Sequence, residues 1–148
     1  MLVTDVIARD HRAVQALFFE IERVGPSGRE LLERLVLELE IHAQAEEAVF
    51  YPAVREVSRR IDDAEFGHEY MRQLVEAVQT QTPGSEGFLS ALRQLKQTVL
   101  AHAMEEESGI FMDAERLGLE RLGELGGAME QHRQRLMAAQ PAQERRVA

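Results

Sequence analysis

The sequence has no cysteine, no tryptophan, four prolines and a single lysine, Lys96. Without cysteine, disulfides, zinc fingers, thiolate clusters and thiol nucleophiles are excluded, and any metal must be held by histidine and carboxylate. No apolar run approaches the roughly 20 residues needed to span a bilayer. The first ten residues carry Asp5, Arg9 and Asp10, so they hold no apolar signal-peptide stretch. A soluble, cytoplasmic protein is the default expectation. Positive charge is in deficit, with a net charge of −9. This argues against a nucleic-acid backbone or an anionic membrane as partner, and solubility is the plain role of that charge. The arginine groups (Arg55, Arg59, Arg60; Arg133, Arg135; Arg145, Arg146) are mixed with acids and read as solvated faces. There is no glycine-rich phosphate loop and no serine-centred nucleophile motif.

What remains is helix-forming. In 148 residues, 45% are apolar and 29% charged, a composition for one domain that buries roughly two-thirds of its unfolded surface. Three of the four prolines, Pro26, Pro83 and Pro141, fall between periodic segments. A first helix is expected over about Thr4–Val24, ended by Gly25-Pro26-Ser27-Gly28. Ser27 with Glu30 reads as a capping box opening a second helix. That helix runs to about Arg60, with a kink or interruption near Pro52, which lacks the donor an interior helix needs. Asp62 and Glu65 mark the start of a third helix ending near Thr80. A turn at Thr82-Pro83-Gly84-Ser85 precedes a fourth, running to about Leu117. Gly118–Gly127 is glycine-punctuated and ambiguous, a short helix follows over Ala128–Ala139, and a flexible tail is expected over 140–148. The expectation is an all-α, up-down-up-down four-helix bundle over residues 1–139, with a short extra C-terminal helix.

The apolar seams carry the chemical information. Stepping by three and four residues, the second helix gives Leu32, Leu35, Leu39, His42, Glu46, and the fourth gives Leu92, Leu95, Val99, His102, Glu106. The two series match at an offset of 60 residues. The first helix gives Ile7, His11, Val14, Phe18, Ile21, and the third gives Ala64, His68, Met71, Val75, Val78, at an offset of 57. The chain therefore reads as two copies of one helical hairpin. His11 and His42 lie at similar depth from the first loop, roughly 20 Å along the axis at 1.5 Å per residue. His68 and His102 straddle the second loop in the same way. His and Glu four apart share a helix face, so four imidazoles and two carboxylates converge in one core layer. Two unpartnered buried carboxylates would cost many kcal/mol, and a pair of cations removes that cost. A single His-x-x-x-Glu pair is expected about once by chance. The ordered repetition is what carries the inference of a dinuclear metal site.

The same residues resemble the hemerythrin-like, or HHE cation-binding, family over about residues 4–117. The stretches that carry the resemblance are Asp10-His11, His42-Ala43-Gln44-Ala45-Glu46-Glu47 leading to Phe50-Tyr51-Pro52, Gly67-His68-Glu69, and His102-Ala103-Met104-Glu105-Glu106-Glu107. The resemblance implies a four-helix bundle around two iron ions, an oxo- or hydroxo-bridged di-iron centre. His11, His42, His68 and His102 would be terminal ligands, and Glu46 and Glu106 bridging carboxylates. In the oxygen carriers of that family the third helix supplies a second histidine four residues after the first, and here that residue is Arg72. A guanidinium cannot ligate iron, so one iron is expected to be a ligand short. Tyr51 and Tyr70 are candidate substitutes or hydrogen-bond donors beside the ligands. No catalytic residue is assigned apart from the metal centre itself.

The expected function is a redox enzyme acting on small oxidants, through catalase-like disproportionation of hydrogen peroxide or turnover of NO with peroxide. The alternatives are an O2- or iron-binding sensor or store without turnover, and a metal-free bundle. Glu47 and Glu107 read as solvated carboxylates or as partners of the ligands. Phe18, Phe50 and Phe111 read as core filling near the site, and His132 as a surface or packing residue. The outer imidazole nitrogens need acceptors, for which Asp10, Glu38 and Glu105 are candidates. The oligomeric state stays open, with a monomer compatible with the pattern.

Overall fold

The computed structural model describes residues 1–25 and 28–140. The capping box expected at Ser27 and, apart from Gln140, the tail expected over 140–148 lie outside the described residues. Helix α1 spans Val3–Val24 and ends at Gly25, whose φ of 74° is a conformation open to glycine. Helix α2 spans Arg29–Ala45, then continues through a π-helical turn, Glu46–Phe50, into a last α-turn, Tyr51–Val54. Helix α3 covers Ile61–Gln79. Helix α4 covers Glu86–Glu105, with its own π-turn at Glu106–Ile110, a last α-turn at Phe111–Ala114 and a 3₁₀ turn at Glu115–Leu117. Helix α5 spans Leu119–Ala138. Among the described residues there is no strand. Ser85 caps α4 by accepting a hydrogen bond from the Phe88 N–H at 3.1 Å.

The heaviest packing lies within each hairpin, α1 on α2 and α3 on α4, and along α1 where α5 covers it. The apolar core is divided in two. One cluster holds Ile7, Phe50, Tyr51, Val54, Ile61 and Met129; the other holds Val14, Phe18, Leu35, Leu74, Leu95 and Val99. Between them lies the layer of histidines and glutamates.

Three sequence expectations are corrected. Helix α2 ends at Val54, not near Arg60, because the segment after it is tied down by side chains. Arg55 reaches Asp62 and Glu65 at 2.6 Å each, and the Ser58 hydroxyl donates to Asp113 at 2.7 Å. Asp62 and Glu65 are therefore partners of Arg55, and α3 starts without a side-chain cap. The interruption expected near Pro52 is present as the π-turn at Glu46–Phe50, but α4 makes the same turn with Met112 at the equivalent position, so proline is not required for it.

The C-terminal helix is not short: it has 20 residues and opens at Leu119. Of its three glycines, Gly126 serves packing. A Cβ there would stand 2.1 Å from the Met1 carbonyl oxygen, so only glycine lets the N-terminus cross α5. Gly127 faces open space.

Gly126→Val is expected to destabilise the fold by about 1–3 kcal/mol through this collision. Gly127→Ala is expected to stabilise it by about 0.5–1 kcal/mol. Thermal denaturation of the two variants against wild type checks both signs.

Candidate metal centre

The π-turns explain how each second helix delivers its side chains. His42 and Glu46, and likewise His102 and Glu106, are four apart on regular helix and share a face. Beyond the glutamate, an α-helix would carry the fifth residue about 140° around the axis. The wider turn, hydrogen-bonded i to i+5, brings Tyr51 back beneath Glu46.

Six side chains meet in this layer. The His42 and His68 Nε2 atoms each lie 3.2 Å from Glu46 Oε1. His11 Nε2 lies 3.0 Å from Glu106 Oε1, and His102 Nε2 lies 3.7 Å from Glu106 Oε2. Glu46 is 0% exposed and Glu106 1%, so neither carboxylate is stabilised by water. The donor atoms form two groups, each compact enough for one ion: His11, His42, Glu46 and Glu106, and Glu46, His68 and His102. Glu46 belongs to both.

The Tyr51 hydroxyl stands in the three-donor group. It donates to Glu106 Oε2 at 2.5 Å and lies 3.2 Å from His68 Nε2 and 3.4 Å from both His102 Nε2 and Glu46 Oε1. Burial, with Glu46 and Glu106 beside it, pushes this hydroxyl far above its ordinary pKa, so it keeps its proton. Tyr70 is elsewhere: it is 41% exposed, and its oxygen accepts from Gln94 on the surface. Arg72 turns its guanidinium to Glu40, Glu47 and Glu69 at 2.9–3.3 Å. These carboxylates are what allow a cation one helical turn from His68.

The outer face of the site follows the same internal repeat. Glu107 Oε2 lies 2.8 Å from His11 Nδ1, and Glu47 Oε2 lies 2.7 Å from His68 Nδ1. Each hairpin thus backs the other's lone histidine with the residue after its buried glutamate. The sequence reading left both residues undecided, although the 60-residue offset that relates Glu46 to Glu106 relates them too. Asp10 lies 3.4 Å from His42 Nδ1. Its equivalent on the second hairpin is Gly67, whose missing side chain leaves room against His102 Nδ1, where a Cβ would come within 3.0 Å. Of the other acceptors considered, Glu38 binds Arg133 at 2.8 Å and Glu105 is exposed. Phe111, the equivalent of Tyr51, stacks beside His11 with ring centroids 6.5 Å apart. His132 is half-buried on α5, beside Arg135 and away from the layer.

Four buried atoms of the layer, His11 Nε2, His42 Nε2, Glu46 Oε2 and Glu106 Oε1, make no hydrogen bond of regular geometry. Three of them meet only in the short contacts His11 Nε2–Glu106 Oε1 and His42 Nε2–Glu46 Oε1, and Glu46 Oε2 faces no donor. Unpaired buried donors and acceptors are costly, and these four are all of the type that ligates metal. Imidazole and carboxylate together suit first-row transition metals. The residues present therefore fit a pair of cations.

Fold and site together define a metal-binding four-helix bundle. The chain matches the hemerythrin HHE cation-binding domain family over residues 2–114, and it belongs to that family. It is similar to a protein from Nostoc sp. (strain PCC 7120) named DNA nickase, at 34% identity over 115 residues. That match takes in 75% of this chain but 33% of the relative, so the chain spans about a third of that protein's length. The crystal structure of a hemerythrin HHE cation-binding domain-containing protein from Mycobacterium kansasii has the same fold, with a TM-score of 0.80. The two share 23% identity over 100% of this chain and 99% of the other.

Without metal, the buried acids are balanced by protons. Burial disfavours charge on His42, yet Glu46 and Asp10 outweigh it and hold its pKa well above the ordinary imidazole value. His11 and His68 are raised in the same way, against burial, by Glu106 and by Glu46 with Glu47. Burial also opposes the Glu106 carboxylate, but His102 and His11 pull it well below its ordinary value. Raised imidazoles stabilise the fold below the unfolded value of about 6.5, and that gain is lost as pH rises through the folded values. A lowered carboxylate stabilises above about 4.5, and that gain is lost as pH falls. The metal-free protein is therefore expected to be most stable between these ranges and to weaken as pH rises past the imidazole range. A metal-loaded sample should lose metal as pH falls through it, since ligation needs neutral imidazoles. Thermal unfolding against pH for both forms checks the opposite slopes, and an indicator dye in weak buffer checks that loading releases protons.

Proposed function

We propose that the protein is a di-iron enzyme that consumes small oxidants, foremost hydrogen peroxide by disproportionation, with turnover of NO and peroxide as a related reaction. His11, His42, His68, His102, Glu46 and Glu106 would hold the two ions. The preference for iron over manganese or zinc comes from the family. An iron pair supplies the storage of two electrons between the peroxide that becomes O2 and the peroxide that becomes two waters.

The observation that carries the reading is Tyr51 in the three-donor group, beside His68 and His102. The oxygen carriers have a further histidine on the third helix, which this chain replaces with Arg72. A neutral hydroxyl there leaves room for a small oxidant and holds a proton at its oxygen. In the metal-free protein, burial and the two glutamates keep that proton on Tyr51. Glu47 and Glu107 fix the rings of His68 and His11, and Arg72 fixes Glu47 in turn. Phe111 and Phe50, edge to face at 6.2 Å, wall the first cluster with apolar surface. The nicking of DNA named for the Nostoc relative is not carried over: the shared part is a third of that protein, and a net charge of −9 offers no footprint for a phosphate backbone.

Iron-loaded protein is expected to evolve O2 rapidly from hydrogen peroxide at an oxygen electrode, and His42→Ala or Glu106→Ala to abolish this with loss of iron. Tyr51→Phe is expected to retain iron and slow turnover by about 100-fold, the scale of a removed proton donor. Loaded protein that is inert to peroxide yet forms a stable, reversible O2 adduct would replace this reading with a binding role.

A further inference from the structure

The histidine layer faces a cavity of about 360 Å³. All four imidazoles reach it, and its walls are apolar side chains from all four helices, among them Val14, Leu39, Val75 and Val99. α2 and α3, which border it, pack only lightly on one another. The cavity's volume includes the space between the imidazoles that metal ions would take, and it is still large beside peroxide, O2 or NO, each of two heavy atoms. An apolar cavity of about 150 Å³ is enough to take benzene, and pockets for organic ligands begin at about 300 Å³.

The edge of the cavity states what kind of molecule fits. Arg72 and Glu40, partly exposed, join α3 to α2 there at 3.1 Å. The Arg72 guanidinium is already shared among Glu40, Glu47 and Glu69, and Glu40 also accepts from Gln44. Neither charge is free for a ligand, so an anion meets acids and a cation meets a satisfied pair. We infer that the cavity is a binding site for an uncharged, apolar organic molecule, larger than one benzene ring, seated against the imidazole layer. This goes beyond the redox reading and does not depend on it, because the walls and the closed ion pair are there whichever oxidant the centre takes.

The test uses N-phenyl-1-naphthylamine, a neutral probe that fluoresces in apolar surroundings, with the metal-loaded full-length chain. Saturable binding of one probe per chain is expected, displaced by indole. Val75→Phe and Val36→Phe fill the cavity from different helices and are each expected to weaken the probe at least 10-fold, with helical spectrum and metal content unchanged. A crystal structure with the probe is expected to place it against Val75 and the histidines, which keeps the test decisive if either variant misfolds. Absence of saturable binding, equal affinity in the folded variants, or equally tight binding of an anionic naphthalene sulfonate overturns the inference. Loss of peroxide turnover with probe binding intact counts against the proposed enzyme activity alone.

Discussion

Two carboxylates without water are the constraint around which this fold is arranged. Glu46 and Glu106 sit between two apolar clusters with essentially no exposure. Charge buried this way must be matched by positive charge at short range. The protein brings four imidazoles to the same layer, and several donor atoms there still lack partners. Protons can balance such a layer only where the histidines stay charged, whereas a pair of cations balances it above that pH as well. The bundle, its repeated hairpins and its π-turns all serve to put six side chains in one layer.

The two hairpins are alike in what grips the centre and unlike in what surrounds it. Glu47 and Glu107 back histidines of the opposite hairpin. Tyr51 corresponds to Phe111, and Asp10 to Gly67, by the same offsets that relate the histidines. One cluster thus has four donor residues with an apolar ring beside it, and the other has three with a hydroxyl in reach. Two equivalent ion positions would serve storage as well as chemistry. Under the proposed function, this difference would let one position take the substrate while the other stays closed.

Much of this was legible in the residues. The offsets of 60 and 57 place His11, His42, Glu46, His68, His102 and Glu106 in seams, and the structure brings those six together. The π-turns were not legible, because each begins where the His-x-x-x-Glu spacing ends and leaves no mark on it. Tyr51 and Tyr70 are both candidates on the sequence, and it is the π-turn that separates them by bringing Tyr51 beneath the glutamates while Tyr70 stays at the surface. Glu47 and Glu107 looked solvated because neighbours on a helix point apart, yet here each has a histidine of the other hairpin to face. Helix α5 was underestimated because glycines read as breaks, and the role of Gly126 depends on the N-terminus, which is distant in sequence.

The most direct test is diffraction from crystals of the iron-loaded protein, recorded on both sides of the iron absorption edge. Two anomalous peaks are expected in the layer, one bounded by His11 and His42 and the other by His68 and His102, with Glu46 reaching both. A map with no iron peak among these side chains, or with iron only on the protein surface, would contradict the account.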